Sequence, residues 1–289
     1  MSVKIIADSG CDSSPEVREQ LDLELIPLSV LVPGHPEIKD DLDVDTKHVL
    51  DIMNAAKEPT RSACPSVDDY AKRMIAYDEC VVITLSQLIS GSYNCARVAR
   101  DMVLSIYPDK KIHIFDSMSA SVGELLVAYF IDGLKQLGDT FETIIEKTEN
   151  FINNGHLKTM LVLEDLSTLV KNGRLSRVKG IVSSVLSIHP ILADNGKGEI
   201  EALYTVRGLN QAFAKLVNTV HEFTCNTIPR SVRLILSHCH APERAQQVKK
   251  AILDTCQAIK EVIIVPTGGI STMYANKGGI VVTFQYKGF

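Results

Sequence analysis

Cys80-Val81-Val82-Ile83-Thr84 runs straight into Leu85-Ser86-Gln87-Leu88-Ile89-Ser90-Gly91-Ser92-Tyr93-Asn94, and this junction decides the fold. Five β-branched or apolar residues have strand length, the serine-glycine stretch ends the strand, and a helix begins. Outward from it, residues 3–7, 26–32 and 111–115 read as further strands, with helices between and after them. Ser14-Pro15 is a cap followed by proline at the first helical position. Ser66-Val67-Asp68-Asp69 and Ser121-Val122-Gly123-Glu124 read as capping boxes. Val122, Leu125, Leu126, Tyr129 and Phe130 follow the spacing of one buried helix face. Strands alternating with amphipathic helices indicate an α/β fold, with a parallel sheet covered on both sides in this half.

The pattern changes after Asn153-Asn154-Gly155, which divides residues 1–155 from 156–289. Residues 160–163 form a strand, and Val178, Ile181, Val182, Val185 and Leu186 stripe a helix. Residues 190–193 and 201–206 flank the turn sequence Asp194-Asn195-Gly196-Lys197-Gly198 and read as a hairpin. A helix carrying Phe213, Leu216, Val217 and Val220 follows, then a strand at 232–236, a helix from Pro242, and strands at 262–265 and 280–284. A hairpin combined with crossover helices implies a mixed sheet.

Composition narrows the function. A chain of 289 residues that is 45% hydrophobic and 22% charged builds a real core and has length for two domains. Its net charge of -5, with no basic run, argues against a nucleic-acid groove. Seven scattered cysteines without a C-x-x-C pair suit reduced thiols and a cytoplasmic location. Residues 1–8 read as a strand rather than a signal peptide, and the longest apolar run, 125–131, is far below spanning length, so no stable membrane insertion is expected.

The junction also nominates a site. Strand ends of open α/β sheets bind ligands because loop amides and helix N-termini converge there. Ser90, Gly91 and Ser92 offer two hydroxyls and backbone donors to an anion; the same residues also serve as ordinary caps and turns. Asp116-Ser117-Met118-Ser119-Ala120-Ser121 repeats the theme. Asn172-Gly173-Arg174 sets an arginine beside a glycine turn. Asp41-x-Asp43-x-Asp45 lacks the glycine and closing glutamate of a calcium loop and reads as a solvated acidic turn. His238-Cys239-His240 has no second ligand cluster, so no metal is expected. There is no G-x-S-x-G elbow, and no base can be assigned to any serine, so no catalytic residue is named.

In these motifs the whole chain resembles the DegV family, fatty-acid-binding proteins that carry the lipid for bacterial fatty-acid kinases. Asp8-Ser9 is similar to the family's D-S start, and Ser62-Ala63-Cys64-Pro65-Ser66 to its T-S-x-P-S motif. Leu88-Ile89-Ser90-Gly91-Ser92-Tyr93 resembles L-S-G-T-Y, and residues 166–176, Leu-Ser-Thr-Leu-Val-Lys-Asn-Gly-Arg-Leu-Ser, resemble L-x-x-L-x-x-G-G-R-[IV]-S. His189-Pro190-Ile191-Leu192 and Val206-Arg207-Gly208 resemble later signatures.

The resemblance implies an N-terminal three-layer α/β/α domain (1–155) with the carboxylate-binding loops. It implies a C-terminal two-layer α/β domain with a mixed sheet (156–289) that encloses the acyl chain. It implies a non-catalytic lipid-binding protein that takes a hexadecanoate-like fatty acid, needs no cofactor, and presents the carboxylate to a kinase subunit. The family's carboxylate-binding threonine falls on Ser62 and its serine on Ser90, beside Gly91 and Ser92; its G-G-R arginine, implicated in partner contact, falls on Arg174. The family's T-H-x-G-P-G reads Thr272-Met273-Tyr274-Ala275-Asn276-Lys277 here, so Met273 stands where a histidine would support the head group, and Tyr274, Asn276 or Lys277 is left to supply a donor. Two other readings remain: a carrier of a different amphiphile, and a serine-dependent acyl hydrolase.

Overall fold

The computed structural model describes residues 3–154, 156–175 and 188–286. Its first elements are β1 (Lys4–Asp8), α1 (Pro15–Leu21), β2 (Leu23–Ile26), β3 (Ser29–Leu31), β4 (Ile38–Lys39), α2 (Thr46–Ala55), β5 (Arg61–Ala63) and α3 (Val67–Ile75). Then follow β6 (Glu79–Thr84), α4 (Ser92–Ile106), β7 (Lys111–Asp116), α5 (Val122–Gln136) and α6 (Phe141–Asn153). The later part comprises β8 (Leu157–Val162), α7 (Ser167–Lys171), β9 (Ile188–Asp194), β10 (Ile200–Arg207) and α8 (Leu209–Thr224). It closes with β11 (Val232–His238), α9 (Pro242–Thr255), β12 (Ile259–Pro266), α10 (Gly269–Ala275) and β13 (Ile280–Gln285). The expected helix striped by Val178, Ile181, Val182, Val185 and Leu186 lies outside the described residues.

The first sheet has the order β2-β1-β6-β7 and is parallel throughout. Its strands are Val and Ile runs because both faces are covered. Ile5, Ala7, Val81, Ile83 and Phe115 face a core shared with α1, α5 and α6. Ile6, Val82, Ile112 and Ile114 face Tyr70 and Met74 of α3 and Ala96, Ala99 and Val103 of α4. This is the expected three-layer half. The strand expected at 26–32 is broken at Pro27. β2 ends at Ile26 in the parallel sheet, and β3 pairs antiparallel with β4 and β5 in a separate small sheet. Proline has no N–H for the ladder, which suits a change of sheet at that residue.

The second sheet has the order β10-β9-β8-β13-β11-β12 and is mixed, as expected: β11 and β12 run parallel, the other neighbours antiparallel. One face, with Met160, Val162, Leu234, Leu236, Val282 and Phe284, packs under α8 and α9. The alternate residues Leu161, Ile235 and Val281 turn to the opposite face and join the core that contains α5. Helix α5 therefore serves both sheets. Its burial extends beyond the stripe expected from spacing: Val127, Ala128 and Ile131 are also fully buried. From Val122 to Tyr129 the helix is enclosed on all sides, and its polar, partly exposed face begins at Asp132.

Caps follow the sequence, with one exception. Ser14 caps α1 with Pro15 at its start, Asp45 caps α2, and Ser66 with Asp69 forms a complete capping box on α3. At α5 the expected box is absent. Ser121 has φ 57 and ψ -127, and its hydroxyl donates to the Asp12 carboxylate instead of a helix amide. Glu124 is fully buried, with no hydrogen-bond partner on either oxygen. A tertiary partner has claimed the serine, and burial the glutamate, of a locally plausible motif.

The expected hairpin is β9 and β10, with a register shift between Ala202 and Tyr204. Gly196 and Gly198 take φ of 74° and 93°, values that L side chains rarely adopt. Gly198 also packs against the loops after β6 and β7: a Cβ there would lie 2.3 Å from Ser86 Oγ and 3.3 Å from Met118 Cα. Gly198→Ala is expected to cost about 1–3 kcal/mol through backbone strain and overpacking. In urea unfolding this appears as a lower midpoint with an unchanged slope.

Candidate functional site

The two halves meet around a cavity of about 380 Å³. Its walls are mainly apolar: Leu28, Leu85 and Ile89 come from the N-terminal half, and Leu161, Leu163, Leu169, Ile200, Ile270 and Val281 from the C-terminal half. Both halves contribute to this lining. The size and apolar character suit a small ligand with few polar groups.

The polar groups on the lining include three hydroxyls brought from distant parts of the chain: Ser62 on β5, Ser90 before α4 and Tyr274 on α10. Ser62 Oγ and Tyr274 Oη lie 2.9 Å apart. Ser90 Oγ donates to Ser92 Oγ at 3.0 Å and accepts from the Ser92 amide at 3.2 Å. Gly91, the N-cap of α4, also lines the cavity and has no side chain to cover the helix start. Ser92 is fully buried behind this lining, where its hydroxyl serves Asp8. Of the nominated serines, then, 62 and 90 share the cavity and 92 supports from behind.

Met273 is not in the lining, a correction to its nomination. It is fully buried and packs with Leu28, Val30, Val49 and Ile270. The one-residue step around α10 turns its neighbour Tyr274 into the cavity instead. Asn276 is engaged by Asp165 at 3.2 Å, and Lys277 is exposed. Of the three candidate donors, Tyr274 is the one that reaches the cavity.

Arg174 also lines the cavity, half-buried. Its Nε donates to the Ile89 carbonyl at 3.1 Å, and Nη1 donates to the Asn172 carbonyl. The arginine thus braces the backbone next to Ser90. The motif His238-Cys239-His240 has other partners: His238 Nδ1 accepts from the Ala241 amide, Cys239 is buried, and His240 Nε2 lies 3.0 Å from Thr46 Oγ1.

Buried carboxylates support the polar end, and sequence reasoning missed them. Asp40 accepts from Ser9 Oγ and from the amides of Gly269 and Ile270 at the start of α10. Asp12 accepts from the Gly268 amide at 2.8 Å and from Ser121, a cavity-lining residue. A side chain at 269 would put its Cβ 2.8 Å from Asp40 Oδ1, so glycine permits this close approach. Together the two acids fix the helix that carries Tyr274. Asp8 accepts from the Gly10 and Leu85 amides, tying β1 to the loop after β6.

Burial dominates the titration of this group. Desolvation pushes Asp8 up to about 6 despite the Leu85 amide and Ser92 hydroxyl. It pushes Asp12 up to about 6 despite Ser121 and the Gly268 amide. Glu124 is driven far above the usual carboxylate range, first by burial and then by the Asp8 charge.

Comparison with known proteins follows the same lines. The sequence profile of a family described as "Uncharacterised protein, DegV family" matches residues 2–287. A DegV domain-containing protein of Streptococcus pneumoniae is 30% identical over 287 residues, 99% of each chain. A DegV family protein of Ruminococcus gnavus, solved with vaccenic acid, is 34% identical with a TM-score of 0.90, covering 98% of this chain and 99% of that one. The Streptococcus pneumoniae Fatty Acid Kinase (Fak) B3 protein loaded with linoleic acid is 29% identical with a TM-score of 0.87, covering 99% and 100%. Among the described residues no helix is long and apolar enough to cross a membrane.

The raised acids carry a stability signature. Asp12 holds its proton more tightly folded than unfolded, so its contribution is intact below about pH 4 and is lost as pH climbs through about 6. Asp12→Asn removes that loss. The stability of the variant relative to the parent is expected to improve by on the order of 2–3 kcal/mol between pH 4 and pH 7. Urea unfolding across that range checks it, and parallel profiles would count against the burial argument.

Proposed function

The chain belongs to the DegV family, and on that premise we propose that it holds a long-chain fatty acid in the cavity between its two sheets and presents the carboxylate to a separate kinase. The observation that carries this reading is the convergence of Ser62, Ser90 and Tyr274 on one apolar cavity.

The energetics favour such a carrier. A sixteen-carbon chain buries about fifteen methylene-type groups at roughly 0.8 kcal/mol each, on the order of 12 kcal/mol before the costs of ordering and association. The carboxylate needs donors, since a bare ion in an apolar site costs many kcal/mol. Ser62, Ser90 and Tyr274 have hydroxyl protons to give, and the start of α4 adds a positive dipole end. Arg174 adds charge beside the Ser90 loop and, among the described residues, closes no salt bridge to another side chain. The motif resemblance puts a histidine where Met273 stands, and in this reading the neighbouring Tyr274, which lines the cavity, takes over the donor role.

Support for a kinase partner comes from the likeness to the Fak B3 protein. In that role a carboxylate oxygen attacks the terminal phosphoryl group of a nucleoside triphosphate, the diphosphate leaves, and an acyl phosphate forms. This chain's part is to hold the acyl tail out of water and leave an oxygen accessible. A hydrolytic role lacks support: Ser62 is engaged by Tyr274 and Ser90 by Ser92, the described cavity lining contains no histidine or lysine, and its carboxylates Asp194 and Glu199 accept from the Thr159 and Gly196 amides and from Asn195.

Organic extraction of the native protein followed by mass spectrometry is expected to yield a long-chain fatty acid. Ser90→Ala and Tyr274→Phe are each expected to weaken its binding by roughly 10- to 100-fold, the value of one hydrogen bond to a charged group. Neither the parent nor the variants should hydrolyse acyl esters. An empty extract together with no micromolar binding would remove this reading.

A further inference from the structure

Two thiols meet beside the polar end of the cavity. Cys64 lies between β5 and α3, and its Sγ is 3.7 Å from Sγ of Cys95 in the first turn of α4. Both residues are half-buried, within reach of small solutes, whereas Cys11, Cys80, Cys239 and Cys256 are buried and Cys225 is exposed without a neighbouring thiol. Cys64 lines the cavity two residues from Ser62. It also overlies the other carboxylate loop, since a Cβ on Gly91 would sit 3.2 Å from its sulfur. One sulfur thus touches both loops that define the polar end.

We infer that Cys64 and Cys95 form a reversible disulfide under peroxide, and that closing it lowers fatty-acid affinity by shifting the Cys64 connection and the end of β5 that carries Ser62. The consequence for affinity rests on the carrier reading above; the disulfide itself does not. The reaction balances with hydrogen peroxide as oxidant. A thiolate attacks one peroxide oxygen, the O–O bond breaks, and a sulfenic acid forms with loss of hydroxide. The second sulfur attacks the sulfenic sulfur, the S–S bond forms, and the second oxygen leaves as water. In sum, two thiols and one peroxide give one disulfide and two waters, each sulfur yielding one electron.

Geometry decides which side moves. A disulfide requires about 2.05 Å between sulfurs, so the pair must close by roughly 1.7 Å. Cys95 is held in α4 by its amide bond to the Gly91 carbonyl, while Cys64 sits in a short connection outside any helix or strand. The Cys64 segment therefore yields, drawing Ser62 away from Tyr274 and pressing across Gly91. A shift of that size is enough to spoil hydrogen bonds that work over a few tenths of an ångström. Burial, and then the neighbouring Cys95 thiol, pushes Cys64 up to about 11, so Cys64 persists as a thiol at neutral pH and its oxidation quickens as pH rises.

The experiment treats full-length protein with hydrogen peroxide, maps disulfides by non-reducing peptide mass spectrometry, and follows amide hydrogen exchange over residues 61–66 and 90–95. Fatty-acid binding is measured before oxidation, after it, and after dithiothreitol. The expected result is a Cys64–Cys95 linkage, altered exchange in both segments, and at least tenfold weaker binding that dithiothreitol restores. Cys95→Ser should bind as the reduced parent does and stay unresponsive to peroxide. Absence of the linkage, or a linkage with unchanged exchange and affinity, overturns the inference. If the reduced protein binds no fatty acid, the carrier reading fails separately, and mapping with exchange still decides whether the pair closes and moves the loop.

Discussion

Helix α5 is buried around its circumference from Val122 to Tyr129 because sheets lie on more than one side of it. Leu125, Val127, Ala128 and Ile131 are buried in a core that takes residues from β1, β6 and β7 of one sheet and from β8, β11 and β13 of the other. With tightly packed interiors, such a shared helix leaves little freedom for the sheets to slide. The loops at the strand ends are therefore held at fixed separations, and the cavity between them has a fixed shape. Ser62, Ser90 and Tyr274 meet because the frame behind them is one continuous core.

Electrostatics refine what packing begins. Asp12 and Asp40 accept amide protons at the start of α10 and so place Tyr274, while Asp8 holds the loop that leads to Ser90. None of these three carboxylates forms an ion pair with a side-chain cation among the described residues. They are met by amides and hydroxyls, the same donor types that the cavity offers to a ligand. The cost is visible in their raised titration, and burial raises Glu124 further still. A polar end built this way is neutral enough to receive an anion yet already organised around negative charge.

Much of this frame was legible in the sequence. The parallel strands are β-branched runs, and the serine caps of α1 and α3 stand where local hydrogen bonding wants them. The hairpin around Gly196 and Gly198 follows from residues that tolerate positive φ. What was hidden depends on distant partners. Strands β3, β4 and β5 have two or three residues each and owe their existence to pairing across the chain. Ser121 and Glu124 have the spacing of a capping box, but Asp12 takes the serine and burial takes the glutamate. Asp40 adjoins the exposed acids Asp41, Asp43 and Asp45 and looks like one of them until α10 folds onto it. For the site, Ser62 and Ser90 stood out through likeness to family motifs. Met273 was singled out the same way, and only the three-dimensional turn of α10 shows that Tyr274 faces the cavity.

The most direct test of the account is a crystal structure of the protein with hexadecanoate. The account predicts the acyl chain between the two sheets, against Leu161, Leu163 and Val281, with a carboxylate oxygen within hydrogen-bond reach of the Ser62 and Ser90 hydroxyls. A carboxylate bound away from both serines, or a chain lying outside this cavity, would contradict it.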